Sequence, residues 1–268
     1  MAFDLKPMTT GELLDRSFFL YRKHFSLFAG IAVVPMLVYF LANIASDVVI
    51  SSMPAGANVL LLTPLVKLPS TLIGILAVLF TQGAAAAAIS DVYLDRPYGI
   101  GKSFNQLYGN FSGVLFSMIL VSIATVFGFI CLIVPGIIFA AAFSLTIPAA
   151  VIEKLRPTDA MRRSWNLTKN GRERVFLIFV IVAAINFVVN FIFSVPLLVF
   201  SVIEELGDSS LPSLTQQITT DAFRFFAACI TVPLSTVATS LLYYDQRARK
   251  EGFDLQFMIS SLDSERNT

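Results

Sequence analysis

Residues 111–152 read FSGVLFSMILVSIATVFGFICLIVPGIIFAAAFSLTIPAAVI, a run with no Asp, Glu, Lys, Arg or His. A bilayer core is crossed by about 20 apolar residues in a helix. The run is too long for one span and about right for two. Val134-Pro135-Gly136 divides it: proline lacks an N–H and glycine frees the backbone, so the pair marks a turn. The stretch predicts a tight helical hairpin with an almost wholly apolar tip. The alternative, a single kinked helix, is too long for an ordinary bilayer.

Four more apolar runs flank the hairpin, at 25–45, 70–90, 175–203 and 222–244. With 111–133 and 135–152 they make six spans in a single membrane domain covering 1–268, with 245–268 as a short cytoplasmic tail. Composition agrees. Of 268 residues 56% are apolar and only 14% charged, against roughly 25% charged in soluble domains. Mean hydropathy is +0.77. The first eight residues include Asp4 and Lys6 and lack an apolar core, so they do not form a cleavable signal peptide. Cys131 and Cys229 both lie inside apolar runs, which argues against a disulfide framework.

The distribution of Lys and Arg sets the orientation. In a six-span arrangement, 17 of the 19 basic residues fall on one face, and only Lys67 and Arg224 on the other. Both termini are therefore expected on the cytoplasmic side. A five- or seven-span arrangement scatters this asymmetry.

Each odd-numbered span has an amphipathic preamble. In Thr9–Phe25, Thr9 and Glu12 fit a capping box, and Leu14, Phe18, Tyr21 and Phe25 share a helical face. In Arg96–Phe111, Pro97 suits a helix start, and Ile100, Phe104, Leu107 and Phe111 share a face. In Arg156–Gly171, Pro157 sits near the start, Met161 and Trp165 share a face, and Asn170-Gly171 reads as a C-cap. Arg16-Ser17-Phe18, Lys102-Ser103-Phe104 and Arg163-Ser164-Trp165 repeat one pattern of cation, serine and aromatic. The fold expected is an all-α integral membrane bundle of three pseudo-repeats. Each is a cytoplasmic interfacial helix, with its cations on anionic headgroups, followed by a transmembrane pair.

Several stretches resemble a known family. They are Gly11-Glu12-Leu13-Leu14-Asp15-Arg16-Ser17-Phe18, Val134-Pro135-Gly136-Ile137-Ile138, Glu153, and Ala160-Met161-Arg162-Arg163-Ser164-Trp165-Asn166-Leu167-Thr168. Tyr243-Tyr244-Asp245-Gln246-Arg247 and Lys250-Glu251-Gly252-Phe253-Asp254 complete the set. In this order they resemble uncharacterised bacterial membrane proteins related to the membrane domain of glycerophosphoryl diester phosphodiesterases. The resemblance covers most of the chain. It implies a bacterial cytoplasmic-membrane scaffold of undetermined biochemical role. The catalytic phosphodiesterase domain of some members is not expected here, since 24 residues follow Tyr244.

No residue set points to catalysis, a cofactor or a metal. His24 is the lone histidine, which disfavours zinc and His-based triads. Gly99-Ile100-Gly101-Lys102-Ser103 lacks the upstream glycine and strand of a phosphate loop. Within the spans the polar candidates are Gln82, Asn186 and Asn190. The two asparagines serve either as interhelical glue or as a transport site. The small-residue run Gly83–Ala88 invites close approach of another helix. Pro35, Pro148, Pro196 and Pro233 are read as packing features. The cytoplasmic candidates are Asp15, Arg16, Arg162, Arg163, Trp165, Asp245, Arg247 and Glu251. They either lock the preambles to the helix ends or dock anionic lipid headgroups or a protein partner; no nucleic acid is expected. The function expected is that of a non-enzymatic scaffold or accessory protein. The alternative is a transporter or conduit for a lipid or small amphiphile.

Overall fold

The computed structural model describes residues 8–54, 59–169, 171–206 and 213–251, with side chains at all of these except 59–60, 197, 199–206 and 213. These residues form ten helices: α1 (Thr10–Lys23), α2 (Phe25–Ser51), α3 (Val59–Tyr93), α4 (Ile100–Tyr108), α5 (Phe111–Cys131), α6 (Ile133–Phe143), α7 (Thr146–Ile152), α8 (Pro157–Thr168), α9 (Arg172–Leu206) and α10 (Ser213–Glu251). Six stretches are long and apolar enough to cross a membrane: α2, α3, α5, α6 with α7, α9 and α10. The chain is built as a helical multi-pass membrane protein.

The six spans divide into two layers. In α3, α6–α7 and α10 the most apolar windows are 56, 44 and 61% buried, against 33, 17 and 17% in α2, α5 and α9. The second span of each pair is thus central and the first peripheral. The central helices α3, α7 and α10 touch one another. The preambles follow a cyclic rule. Helix α4 packs on α3, α8 on α7, and α1 on α10, so each rests on the second span of the preceding pair and the ring closes between the chain's two ends. The loops support the repeat. Both Asp95 and Lys154 adopt positive φ, 54° and 53°, each just past the end of a central span, and each precedes an Arg-Pro pair, Arg96-Pro97 and Arg156-Pro157.

The preambles bury part of their apolar faces, Tyr21 and Leu107, with Leu14, Phe104 and Phe111 packed on the core beside them. Helix α1 buries Leu13, Ser17, Leu20 and Tyr21, while Phe18 and Phe25 are exposed. Helix α4 buries Ser103 and Leu107. Helix α8 buries Ala160, Ser164, Leu167 and Thr168. The motif serine faces the bundle in all three, because a small side chain lets two helix backbones approach closely. The Thr9–Glu12 capping box forms, Thr9 N–H donating to Glu12 at 2.6 Å and Glu12 N–H to Thr9 Oγ1 at 3.3 Å. Pro157 opens α8. Helix α4 begins at Ile100, past Pro97. Asn170 lies outside the described residues.

The hairpin turns at Leu132, two residues before the expected triplet. Leu132 is extended (φ −171°, ψ 156°) and joins α5 to α6. Pro135 lies in the first turn of α6, where its missing N–H breaks no helical bond. Gly136 serves the approach of the two arms: a Cβ there would lie 2.4 Å from the Phe129 ring, and one on Gly128 would lie 3.0 Å from the Gly136 Cα. Gly83 does the same for α4, since its Cβ would meet Leu107 at 2.5 Å. Residues 245–251, the start of the expected tail, continue α10; 252–268 lie outside the described residues.

Candidate functional site

Glu153, just past α7, is the hub of a polar network at the preamble end of the bundle. Its carboxylate accepts from Arg163 Nε at 3.1 Å and Nη2 at 2.9 Å, and from the Tyr243 hydroxyl. Arg247 Nη1 lies 3.5 Å away. Arg163 also donates to Glu251, at 2.8 Å from Nη2. One planar guanidinium thereby bridges two carboxylates from different helices. The hydrogen bonds that Arg163 donates to Glu251 come first in holding its guanidinium charged well beyond its usual range, with Glu153 adding to the effect. Four of the cytoplasmic candidates, Arg163, Asp245, Arg247 and Glu251, lie on α8 and the last turns of α10. Arg16 sits over the Tyr93 ring at 5.3 Å. Asp15 and Arg162 are exposed.

Asp245 forms a second centre. Its side chain is fully buried and pairs with Arg174 at 2.9 Å and Arg249 at 3.0 Å. It also accepts the Met8 N–H at 2.7 Å, while both arginines donate to the Met8 carbonyl. The backbone leading into α1 is thus clasped by α9 and α10. Lys102 is likewise engaged, 2.8 Å from Asp91, so no lysine is left over for a phosphate loop at Gly99–Ser103.

The fourth span is broken. Pro148 cannot donate to the carbonyl four residues back, and its ring crowds that turn. The helix stops at Phe143 and resumes at Thr146. The freed groups find a partner on α8: Leu145 N–H donates to Ser164 Oγ at 3.2 Å, and Ser164 Oγ donates to the Ala142 carbonyl at 2.7 Å. Trp165 packs beside this joint, its ring centroid 5.7 Å from Phe143 and 6.3 Å from Phe139, with the Arg172 guanidinium over it at 4.2 Å.

The break opens onto a cavity of about 410 Å³ between α3, α5, α6–α7, α9 and α10. Its wall is mostly apolar, with Ser122, Thr125, Ser144, Thr146, Thr236 and Thr239 among the polar positions. Gln82 and Asn186 both line it; Asn190 does not. Asn190 is exposed, donates to the Asn186 carbonyl of its own helix at 2.8 Å, and edges a separate cavity with Thr220 and Arg224. The two asparagines therefore do not act as a pair. Asn186 Oδ1 and Thr146 Oγ1 are buried with no hydrogen-bond partner among the described residues. An unpaired buried polar atom costs about 1–3 kcal/mol, a cost that a polar guest in the cavity can remove.

At the opposite end Asp47 pairs with Lys67 beside Asp221, which lies 3.5 Å from Arg224. His24 joins α1 to α2 and packs edge-on against Tyr98 at 5.1 Å. Burial, then the nearby Lys23 charge, lowers its pKa. The residues that sequence patterns missed are Thr146, Ser164 and the Glu153–Tyr243 contact.

Searches of curated proteins and of solved structures return no match to this chain. A family profile described as "Domain of unknown function (DUF7847)" matches residues 100–244. The matched segment runs from the first residue of α4 to Tyr244 in α10 and includes the hairpin, the broken span and the cavity-lining part of α9. It spans more than half of the chain, and the chain belongs to this family.

Proposed function

We propose that the protein binds a lipid or small amphiphile in the cavity between its spans, as a carrier or conduit, and does no chemistry on it. The observation carrying this reading is the cavity of about 410 Å³ in which Asn186 Oδ1 and Thr146 Oγ1 are buried and unpartnered. A discontinuous span is how many membrane carriers expose polar backbone to a substrate, and here the break lines the cavity. The internal pairing of Arg163, Arg247, Asp245 and Glu251 assigns those charges to locking helices together. That shifts weight from the docking-scaffold reading toward the conduit. A scaffold role retains one support, the exposed cations Lys154, Arg156, Arg162 and Lys169 on and around α8.

The setting proposed is a bacterial cytoplasmic membrane with both termini inside. The preambles lie in the inner headgroup layer, where the exposed Phe18, Phe19, Tyr98 and Tyr108 suit the acyl boundary. The kinship with phosphodiesterase membrane domains is proposed on the motifs quoted above. Their polar residues Glu153, Arg163, Tyr243, Arg247 and Glu251 form one network.

Two measurements test this. Native mass spectrometry of protein extracted with its surrounding lipid should find one defined amphiphile per chain. The Asn186→Leu, Thr146→Val double variant should hold it about tenfold or more weakly, the scale of one or two hydrogen bonds in apolar surroundings. Equal retention by the variant, or a stoichiometric protein and no amphiphile, would sink the cavity reading. For orientation, with Cys131 replaced by alanine, a membrane-impermeant maleimide should label Ser52→Cys in intact cells and Arg162→Cys only after the cells are opened. The reverse pattern refutes the orientation.

A further inference from the structure

Lys169, Arg172, Arg174, Arg249 and Lys250 surround an open cavity of about 730 Å³ at the mouth of the bundle, with Glu173 the single carboxylate in its wall. Five cations share two carboxylates, Glu173 in the wall and the buried Asp245 behind Arg174 and Arg249, so an excess of positive charge faces the cavity and draws an anion to it. Four of them are fixed by a contact behind them. Arg174 and Arg249 are pinned to Asp245 and the Met8 carbonyl. Arg172 lies over Trp165 at 4.2 Å, and Lys250 donates to the Asn166 carbonyl. Donors remain: Arg172 Nε and Arg174 Nε are buried without a partner among the described residues. Helix α9 starts at Arg172, so its free first-turn N–H groups add positive potential in the same place.

This cradle and the membrane cavity share two helix faces. On α10, Thr239 and Leu242 line the cavity, and Gln246 and Arg249 line the cradle. Their spacing of three, four and three residues keeps them on one face. On α9, Val175 and Ile178 line the cavity, and Arg172, one turn earlier, lines the cradle together with Gly171 just before the helix. Trp165 stands between the two, against Arg172 of the cradle and against Phe143 of the cavity wall.

We infer that the cradle binds an anionic phosphate group, and that the ligand is a phosphate-bearing amphiphile with its headgroup in the cradle and its tail in the cavity. This rests on the cavity reading above and adds the headgroup chemistry. Arginine presents a planar fork that matches phosphate oxygens, and lysine adds compact charge. The phosphate could also arrive as a free ion, but the shared helix faces favour one that carries a tail.

Trp165 is the single tryptophan of the chain, and its fluorescence reports on both sites. The full chain, held in an amphipathic polymer at low salt, is titrated with dodecyl phosphate, dodecyl maltoside and inorganic phosphate. The test variant is Lys169→Gln with Lys250→Gln, which leaves the Asp245 clasp and the Arg172–Trp165 contact in place. Wild type should bind dodecyl phosphate about tenfold or more tightly than the maltoside, the scale of one charge-assisted hydrogen bond. The variant should lose that preference and keep maltoside binding. Equal affinity for the two amphiphiles in wild type overturns the headgroup site and leaves the cavity reading standing. Binding of neither overturns both. Inorganic phosphate binding as tightly as dodecyl phosphate overturns the amphiphile in favour of a free anion.

Discussion

Arg163→Ala should lower the stability of the purified protein by about 2–3 kcal/mol. Breaking a buried ion pair by removing one partner costs about 3–5 kcal/mol. About a quarter of the Arg163 side chain is exposed, and 19% of Glu153 and 27% of Glu251, so solvent screening reduces that figure. The loss arises because Glu153 and Glu251 are left facing each other with Arg247 alone between them. Arg163→Lys should recover little, since one ammonium cannot reproduce a fork that spans two carboxylates. Thermal unfolding followed through Trp165 fluorescence gives the comparison. A lysine variant as stable as wild type would show that charge alone holds α8 to α10 and that bridging geometry is unimportant.

Ser164→Ala should be the most damaging of the three motif-serine replacements, costing about 1–3 kcal/mol because the Leu145 N–H loses its partner at the break and the Ala142 carbonyl keeps only the longer bond from Thr168, at 3.3 Å. Ser17 and Ser103 donate only to carbonyls of their own helices, Leu13 at 2.7 Å and Gly99 at 3.0 Å. Alanine at those positions keeps the close approach and should cost under about 1 kcal/mol, the net value of an ordinary hydrogen bond. Pairing Ser164→Ala with Pro148→Ala supplies the decisive control. An N–H at position 148 lets the helix run through Ser144 and Leu145, so the double variant should recover part of the loss. Additive losses would mean that Pro148 does not cause the break.

The membrane character and the six spans were legible because apolar runs of bilayer length have few other uses in a chain this poor in charge. The clustering of Arg163 with Glu251 and of Asp245 with Arg249 was partly legible too, since their segments fall on one side of any six-span arrangement. The broken span was not. Proline is tolerated in membrane helices whenever a neighbour re-satisfies the freed carbonyl. Nothing local to Pro148 distinguishes it from Pro35 or Pro233, which lie in unbroken helices. What decides is Ser164, sixteen residues on. The burial of the motif serines was not legible for a related reason: periodicity arguments count serine as polar, yet at a helix–helix contact its smallness matters more than its hydroxyl. Asn186 and Asn190 looked equivalent in sequence. Only the packing of α9 against α6 and α10 gives one of them a cavity and leaves the other outside.

The closure of the ring between α1 and α10 has a consequence for biogenesis. Helices α4 and α8 each emerge from the ribosome after the span they rest on, and can dock as soon as they are made. Helix α1 emerges first, and its seat, with Arg174, Asp245 and Arg249 around Met8, is finished last. Until α10 is inserted, Leu13, Ser17 and Leu20 lack the helix that supplies most of their cover. The bare face of α1 therefore marks an unfinished molecule, and its burial marks completion. A chain cut short before α10 carries that mark permanently, in a form that membrane quality-control proteases are suited to read.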